Sequence, residues 1–420
     1  MTKAATIFRR NRIISLSAQR LTWFFVFLAY VNPGYLDRLS AFGLFTTCVK
    51  LAVFSYFLVF GVLRKRFSLK ILPWIGYSLL PTITTVFNHG DIRSGLIFSF
   101  TVLSVALIFF YIDDNSIVNL IGGLAALMEL LVTINIATIV FVPDGLYLFE
   151  TDAGWWSKDV WFFGLRNSHS PFLCLACFAS VLDCYFCREK WKKMVSIITH
   201  IIAIATVILL NSGGGLVAFA VYFLLLTVLC KKKKPKYRKK TFVLSTRLIV
   251  LVNIMIFFFL SFFASNTRIS SIFGILGDQR VYTLERRMGI WAVVWEHIAK
   301  APFFGVGFLK AEDLTWLSKI AAGAFSSHNC MIDICLKGGF ITLIIYCIML
   351  FSSGSNIDNN KYVDYKRKNY LSISWFTIFL LLQSEGSMMS IPLLTIVGIT
   401  YKLGKVLKPQ RYSMKTMHRN

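Results

Sequence analysis

The chain has 420 residues, of which 56% are hydrophobic and only 15% charged; Phe alone occurs 39 times, and the formal net charge is +25. Apolar runs of about 20 residues, the length that crosses a bilayer, recur from end to end, which excludes a soluble globular class. The positive charge is gathered at junctions between those runs, so membrane lipids rather than nucleic acid are its expected partners.

In chain order, the basic N-terminal stretch MTKAATIFRRNRIIS has no small-residue cleavage site after its first apolar run, and no cleavable signal peptide is expected. Twelve spans are predicted, near 21–34, 40–62, 70–87, 95–112, 117–142, 170–187, 195–210, 215–230, 242–263, 330–351, 370–384 and 390–403. Lys and Arg concentrate at alternate junctions: RKRFSLK at 64–70, REKWKKM at 188–194, KKKKPKYRKK at 231–240 and YKRK at 365–368. By the positive-inside rule those junctions and both termini are cytoplasmic. The expected fold is thus an all-α polytopic membrane protein with about 12 transmembrane helices. Spans one to nine lie within 1–263. One large extracytoplasmic loop with short helices and the proposed active site covers 264–329. The last three spans and a cytoplasmic tail occupy 330–420.

A second outer loop, roughly 143–169, carries ETDAGWWSKDVWFFGLRNSHS, whose clustered aromatic rings suit the headgroup zone. Just after it, Cys174, Cys177, Cys184 and Cys187 imitate a zinc pattern. All four fall in one apolar helix, which does not wrap four ligands tetrahedrally around an ion. They read as small packed side chains, and no metal site or cofactor is expected.

The large loop contains RVYTLERRMGIWAVVWEHIAKAPFFGVGF. Met288, Trp291, Val294 and Ile298 form an apolar stripe at helical spacing, ended by Pro302, which predicts an amphipathic helix on the membrane surface. Arg280 and Arg287, seven apart, share one face of it. FFGVGF is a Gly turn that permits close backbone approach. At the mouth of span ten, FSSHNCMIDICLKGG places Ser327, His328 and Asn329 before an apolar run that contains Asp333 and Lys337. That pair, at i and i+4, neutralises itself inside the helix. Arg supplies forked, permanent donors to phosphate oxygens. His has the side chain whose ordinary pKa suits a general base near neutral pH.

These pieces, Arg287-x-x-x-Trp291, Pro302-Phe-Phe-Gly-Val-Gly307, Ser327-His328-Asn329 and Gly338-Gly339, resemble the ordered signature of the bacterial O-antigen ligase and O-antigen/capsular polysaccharide polymerase superfamily. The motif resemblance covers about 280–339; the topology resemblance covers most of the chain. FGLRNSH at 163–169 is similar to a stretch that precedes a span in many polymerases, with His169 where those carry Asn. LLNSGGG places Gly213 where family members often carry an Arg, so one phosphate-binding Arg is missing or is replaced by Arg166.

The resemblance implies a glycosyltransferase of the bacterial cytoplasmic (inner) membrane. It would take undecaprenyl-diphosphate-linked oligosaccharide as donor and acceptor at the outer face, with a flippase and a chain-length regulator as pathway partners. On this implication His328 and Arg287 are catalytic. Arg287 and Arg166, with Arg280 or Arg286 as the second clamp residue, bind diphosphate; Asn329 orients His328 or binds sugar or acceptor, and His169 contacts sugar or acceptor. No Asp-rich motif stands out in the outer loops, so a metal-independent reaction is expected. The FGLRNSH stretch favours a polymerase over a ligase. The rival class is a flippase, for which Lys50, Glu129, Asp183 and Arg247 inside spans speak; against it, no inverted hydropathy repeat is found.

Overall fold

The computed structural model describes residues 18–63, 68–149, 158–187, 189–230, 242–264, 278–314, 316, 327–386 and 388–406. Long helices dominate: α1 (Ala18–Val31), α2 (Ser40–Leu63), α3 (Leu72–Phe87), α4 (Ile92–Tyr111), α5 (Ile117–Phe141), α6 (His169–Cys187), α7 (Lys190–Leu209), α8 (Gly213–Leu229), α9 (Thr246–Ala264), α10 (Asp278–Lys300), α11 (Cys330–Asp358), α12 (Tyr365–Glu385) and α13 (Ile391–Val406). A helix occupies each of the twelve expected span positions, with α10 as the additional helix of the large loop. Among the described residues, six helices are long and apolar enough to cross a membrane: α2, α4, α5, α6, α7 and α11. The protein is an all-α, multi-pass membrane protein. Leu58, Ile201, Leu224 and Phe258 stay exposed on its flanks, as side chains do whose solvent is lipid.

Polar side chains lock the bundle where helices cross. Asp358, at the end of α11, accepts from Ser245 Oγ at 2.7 Å, from the Thr246 amide at 3.0 Å and from Arg247 Nε at 3.3 Å, and so caps α9 from another helix. Asn369, fully buried in α12, accepts from the Leu244 amide at 2.7 Å and donates to the Leu229 and Phe242 carbonyls at 3.2 and 3.1 Å. It therefore ties together both ends of the Lys-rich connector, whose residues 231–241 lie outside the described residues.

A small antiparallel sheet, β1 (Tyr147–Phe149), β2 (Lys158–Trp161) and β3 (Gly164–Leu165), lies over one end of α5 and α6, in the register Tyr147 to Val160 and Val160 to Leu165. Trp161 Nε1 donates to the Val142 carbonyl at 3.0 Å and anchors the sheet to α5.

The α10 stripe corrects one expectation. Trp291, Val294 and Ile298 are at most 2% exposed, with Ile290 at 3%, and Trp295 stacks near Phe257 of α9 and Phe340 of α11. The stripe meets protein and not lipid headgroups. Apolar periodicity states that a face is covered, without naming the cover.

Candidate active site

The signature pieces that are distant in sequence converge on a break in α11. In a regular helix the Phe340 and Ile341 amides would donate to the Leu336 and Lys337 carbonyls, four residues back. At Gly339 the backbone leaves the helix, with φ 67° and ψ −175°, and both bonds open. The segment Pro302–Phe308 fills the gap. Phe340 N donates to Pro302 O at 2.8 Å and Ile341 N to Phe303 O at 3.2 Å; Val306 N donates to Leu336 O at 2.7 Å and Gly307 N to Lys337 O at 3.0 Å. Four backbone groups stranded by the break are thereby paired, which is obligatory at membrane depth.

This explains why P-x-x-G-x-G and a Gly pair occur together. Gly339 adopts a φ/ψ combination open essentially only to glycine, and a Cβ there would overlap the Phe303 carbonyl. Gly305, at φ 72°, passes so close to α11 that a Cβ would lie 2.5 Å from Leu336 O. The far side of the loop is held by the turn between α3 and α4. Phe308 N donates to Thr85 Oγ1 at 2.8 Å, Asp91 N to Phe308 O at 2.7 Å, and Thr84 Oγ1 to Phe304 O at 3.1 Å. Below the loop, Lys337 pairs with Asp333 at 2.8 Å and lies over the Phe308 ring at 5.0 Å; Asp333 also accepts from the Met388 amide at 3.0 Å. The i, i+4 pair is thus a brace joining the loop, α11 and the α12–α13 connection.

Next to this braced break stands the Ser-His-Asn knot. Ser327 and Asn329 are both fully buried. The Ser327 carbonyl accepts from Trp291 Nε1 at 2.8 Å, which fastens α10 to the knot. Asn329 caps α11, its Oδ1 accepting from the Met331 and Ile332 amides at 3.0 and 3.1 Å, and its Nδ2 donates to Gln383 at 2.9 Å. Between these pinned neighbours His328 adopts φ 53°, a left-handed conformation costly for a residue with a side chain. His328 itself is only half-buried, whereas its neighbours on both sides are interior. Arg287 lies one turn before Trp291 on α10, on the same face, and is likewise half-buried. Replacing Trp291 by Phe keeps the ring packing and strands the buried Ser327 carbonyl, so thermal unfolding in detergent should show a loss of about 1–3 kcal/mol.

The remaining expected site residues fall into two groups. Arg280 and Arg286 belong to α10, but their side chains lie outside the described residues. Arg166 and His169 sit on a separate scaffold at the start of α6. Exposed Arg166 donates to the Asn211 carbonyl at 3.0 Å, in the turn between α7 and α8. That turn is the LLNSGGG stretch, and a Cβ on Gly213 would meet nothing within 4 Å, so the guanidinium reaches the neighbourhood where the family's Arg is expected. His169 is buried at 1%. Its Nε2 is 3.0 Å from the Gly164 carbonyl, and its Nδ1 is 3.1 Å from Asn135 Nδ2. Asn135 Oδ1 also accepts from the Phe163 amide at 3.1 Å. Both ring nitrogens are thus spent on the protein: His169 props the FGLRNSH turn. Asn329 is in the same position, with its amide committed to α11 and Gln383, so each of the two fixes the backbone around it.

Sequence reasoning passed over Asn135, Asn253 and Gln383. The signal was present, since each is an amide inside an apolar span, and polar groups there are retained for a partner.

Comparison with known families agrees with the motif reading. Residues 198–347 match the family model described as O-antigen ligase; no curated protein matches the chain. The matched stretch takes in Arg287, Trp291, the Pro302–Phe308 loop, the knot and the α11 break, and stops short of Arg166 and His169.

Proposed function

Since residues 198–347 make the chain a member of the O-antigen ligase/polymerase-like superfamily, we propose that it polymerises polysaccharide repeat units, moving glycan from an undecaprenyl-diphosphate carrier to another lipid-linked repeat unit. The observation that carries this reading is the position of His328, held at φ 53° between two buried anchors, with Arg287 one turn from the Trp that makes the first anchor. We place the reaction at the outer face of the bacterial inner membrane, with twelve crossings and both termini inside. The charge distribution across the junctions supports that sidedness.

In the proposed step the acceptor hydroxyl attacks the anomeric carbon of the donor glycan. The new C–O bond forms as the bond to the diphosphate breaks. The hydroxyl proton passes to the imidazole of His328. The departing lipid diphosphate takes the electron pair, and Arg287, with Arg280 or Arg286 from the same helix and Arg166 from the α6 scaffold, offsets its growing charge. Positive charge of this kind makes a metal ion unnecessary for the step.

Transfer to a different acceptor, as a ligase performs it, uses the same chemistry; the FGLRNSH stretch favours the polymerase. The flippase reading loses support from the spans themselves. Asp183 is ion-paired to Lys192 at 2.6 Å, and Arg247 to Asp358 at 3.3 Å, which gives two of the four charges within spans a structural partner.

A host lacking the protein, complemented with wild type, Arg287→Ala or Arg287→Lys at matched membrane levels, tests the proposal. Arg287→Ala should lower long-chain surface glycan by about 10²- to 10³-fold, while single repeats still reach the outer face. Arg287→Lys keeps the charge without the fork and should recover only part of it. Normal long chains in Arg287→Ala, or repeats trapped inside the cell without the protein, would instead support transport.

A further inference from the structure

We infer that Gln383, with Asn253 behind it, is a positioning residue for His328; the inference rests on the transfer reading above. Gln383 lies on α12 and Asn253 on α9, exposed 4% and 3%, and neither belongs to any signature piece. Gln383 accepts from Asn329 Nδ2 with both its side-chain oxygen and its backbone carbonyl, each at 2.9 Å. Its own Nε2 donates to Asn253 Oδ1 at 2.7 Å. Three buried amides, at the cap of α11 and within α12 and α9, therefore form one directed chain, Asn329 to Gln383 to Asn253. Amides buried this way are costly unless every link is made.

The chain ends on the residue that follows His328. An imidazole on a left-handed backbone stays in place only while its surroundings leave no alternative. On one side that constraint is Trp291, through the Ser327 carbonyl. On the other it is Asn329, whose Oδ1 holds the first amides of α11 while its Nδ2 is held by Gln383. Removing the Gln383 side-chain oxygen leaves Asn329 Nδ2 held by the Gln383 backbone carbonyl alone, which loosens Asn329 in its cap and lets the His328 backbone relax. The base then shifts relative to the acceptor hydroxyl, while the lipid and diphosphate contacts of the donor remain. The signature is a fall in kcat at nearly constant KM. A chain that served only as interhelical glue would lower thermal stability and leave kcat alone.

The test uses the full-length protein in lipid vesicles, a polyprenyl-diphosphate-linked oligosaccharide as donor and acceptor, and wild type, Gln383→Leu, Asn253→Ala, the double variant and His328→Ala. Gln383→Leu should lower kcat by about 10- to 100-fold with KM held within about twofold. Asn253→Ala should lower kcat less, and the double variant should be no worse than Gln383→Leu alone, because the two act in series. Unchanged kcat in variants that only unfold at lower temperature overturns the inference; if Gln383→Leu does not fold, unchanged kcat in Asn253→Ala alone overturns it. Full transfer by His328→Ala sinks the transfer reading itself, whereas an inactive His328→Ala beside a fully active Gln383→Leu sinks only the role of Gln383.

Discussion

Replacing His328 by alanine is expected to lower glycan transfer by about 10²- to 10⁴-fold, the range that a positioned general base contributes, and to leave the protein folded. The two parts of that expectation have separate physical grounds. Folding tolerates the change because the knot is fastened by its neighbours: Ser327 through Trp291, and Asn329 through the α11 amides and Gln383. His328 itself is only half-buried, so its truncation removes less packing than the loss of a core side chain would. Activity is not expected to tolerate the change, because the proposed base is lost and two of the other His side chains are already engaged. His169 is buried with both ring nitrogens engaged, and His297 stacks on Trp316 at 3.8 Å. Measured on purified protein matched for thermal stability, near-normal transfer by His328→Ala would remove His328 from the mechanism.

A second substitution, Gly339→Ala, should damage the protein more deeply while touching no substrate. Its backbone conformation is nearly closed to residues with a side chain, and the added methyl would meet the Phe303 carbonyl. Strain of this kind costs about 1–3 kcal/mol before any overlap is counted. Relief requires the Pro302–Phe308 segment to leave the break, which strands the Val306 and Gly307 amides that now donate to Leu336 and Lys337. We expect reduced recovery from membranes, a lower unfolding temperature in detergent and loss of transfer in whatever protein remains. An Ala variant with wild-type unfolding temperature and activity would show that the break in α11 does not depend on the inserted loop.

How much of this was legible in the sequence follows from which forces are local. The helices were legible because each rests on a long, predominantly apolar run, and a helix lies at every expected position. The Asp333–Lys337 brace was legible because i and i+4 are neighbours on any helix, as the 2.8 Å pair confirms. The insertion of PFFGVGF into α11 was not. The loop reads as a tight Gly turn and Gly338-Gly339 as a small-residue pair, and nothing local says that one completes the hydrogen bonds of the other across some 30 residues of chain. The α10 stripe was read as lipid-facing for a related reason, since lipid and a protein core draw the same periodicity from a helix. The burial and pairing of His169 and Asn329 are tertiary facts that no local signal gives. Asn253 and Gln383 carried a local signal, an amide in an apolar run, but only the fold shows that they point to the same place.

The proposal reduces to one claim: His328, in a knot fastened to the helix that carries Arg287, serves the transfer of glycan from a lipid diphosphate to a hydroxyl. The most direct measurement supplies purified protein in vesicles with a polyprenyl-diphosphate-linked oligosaccharide and counts new glycosidic bonds against released polyprenyl diphosphate. The account predicts one diphosphate released per bond formed, products longer than one repeat, and neither signal from His328→Ala. Translocation of the lipid-linked oligosaccharide across the bilayer without bond formation, or equal bond formation by wild type and His328→Ala, would contradict it.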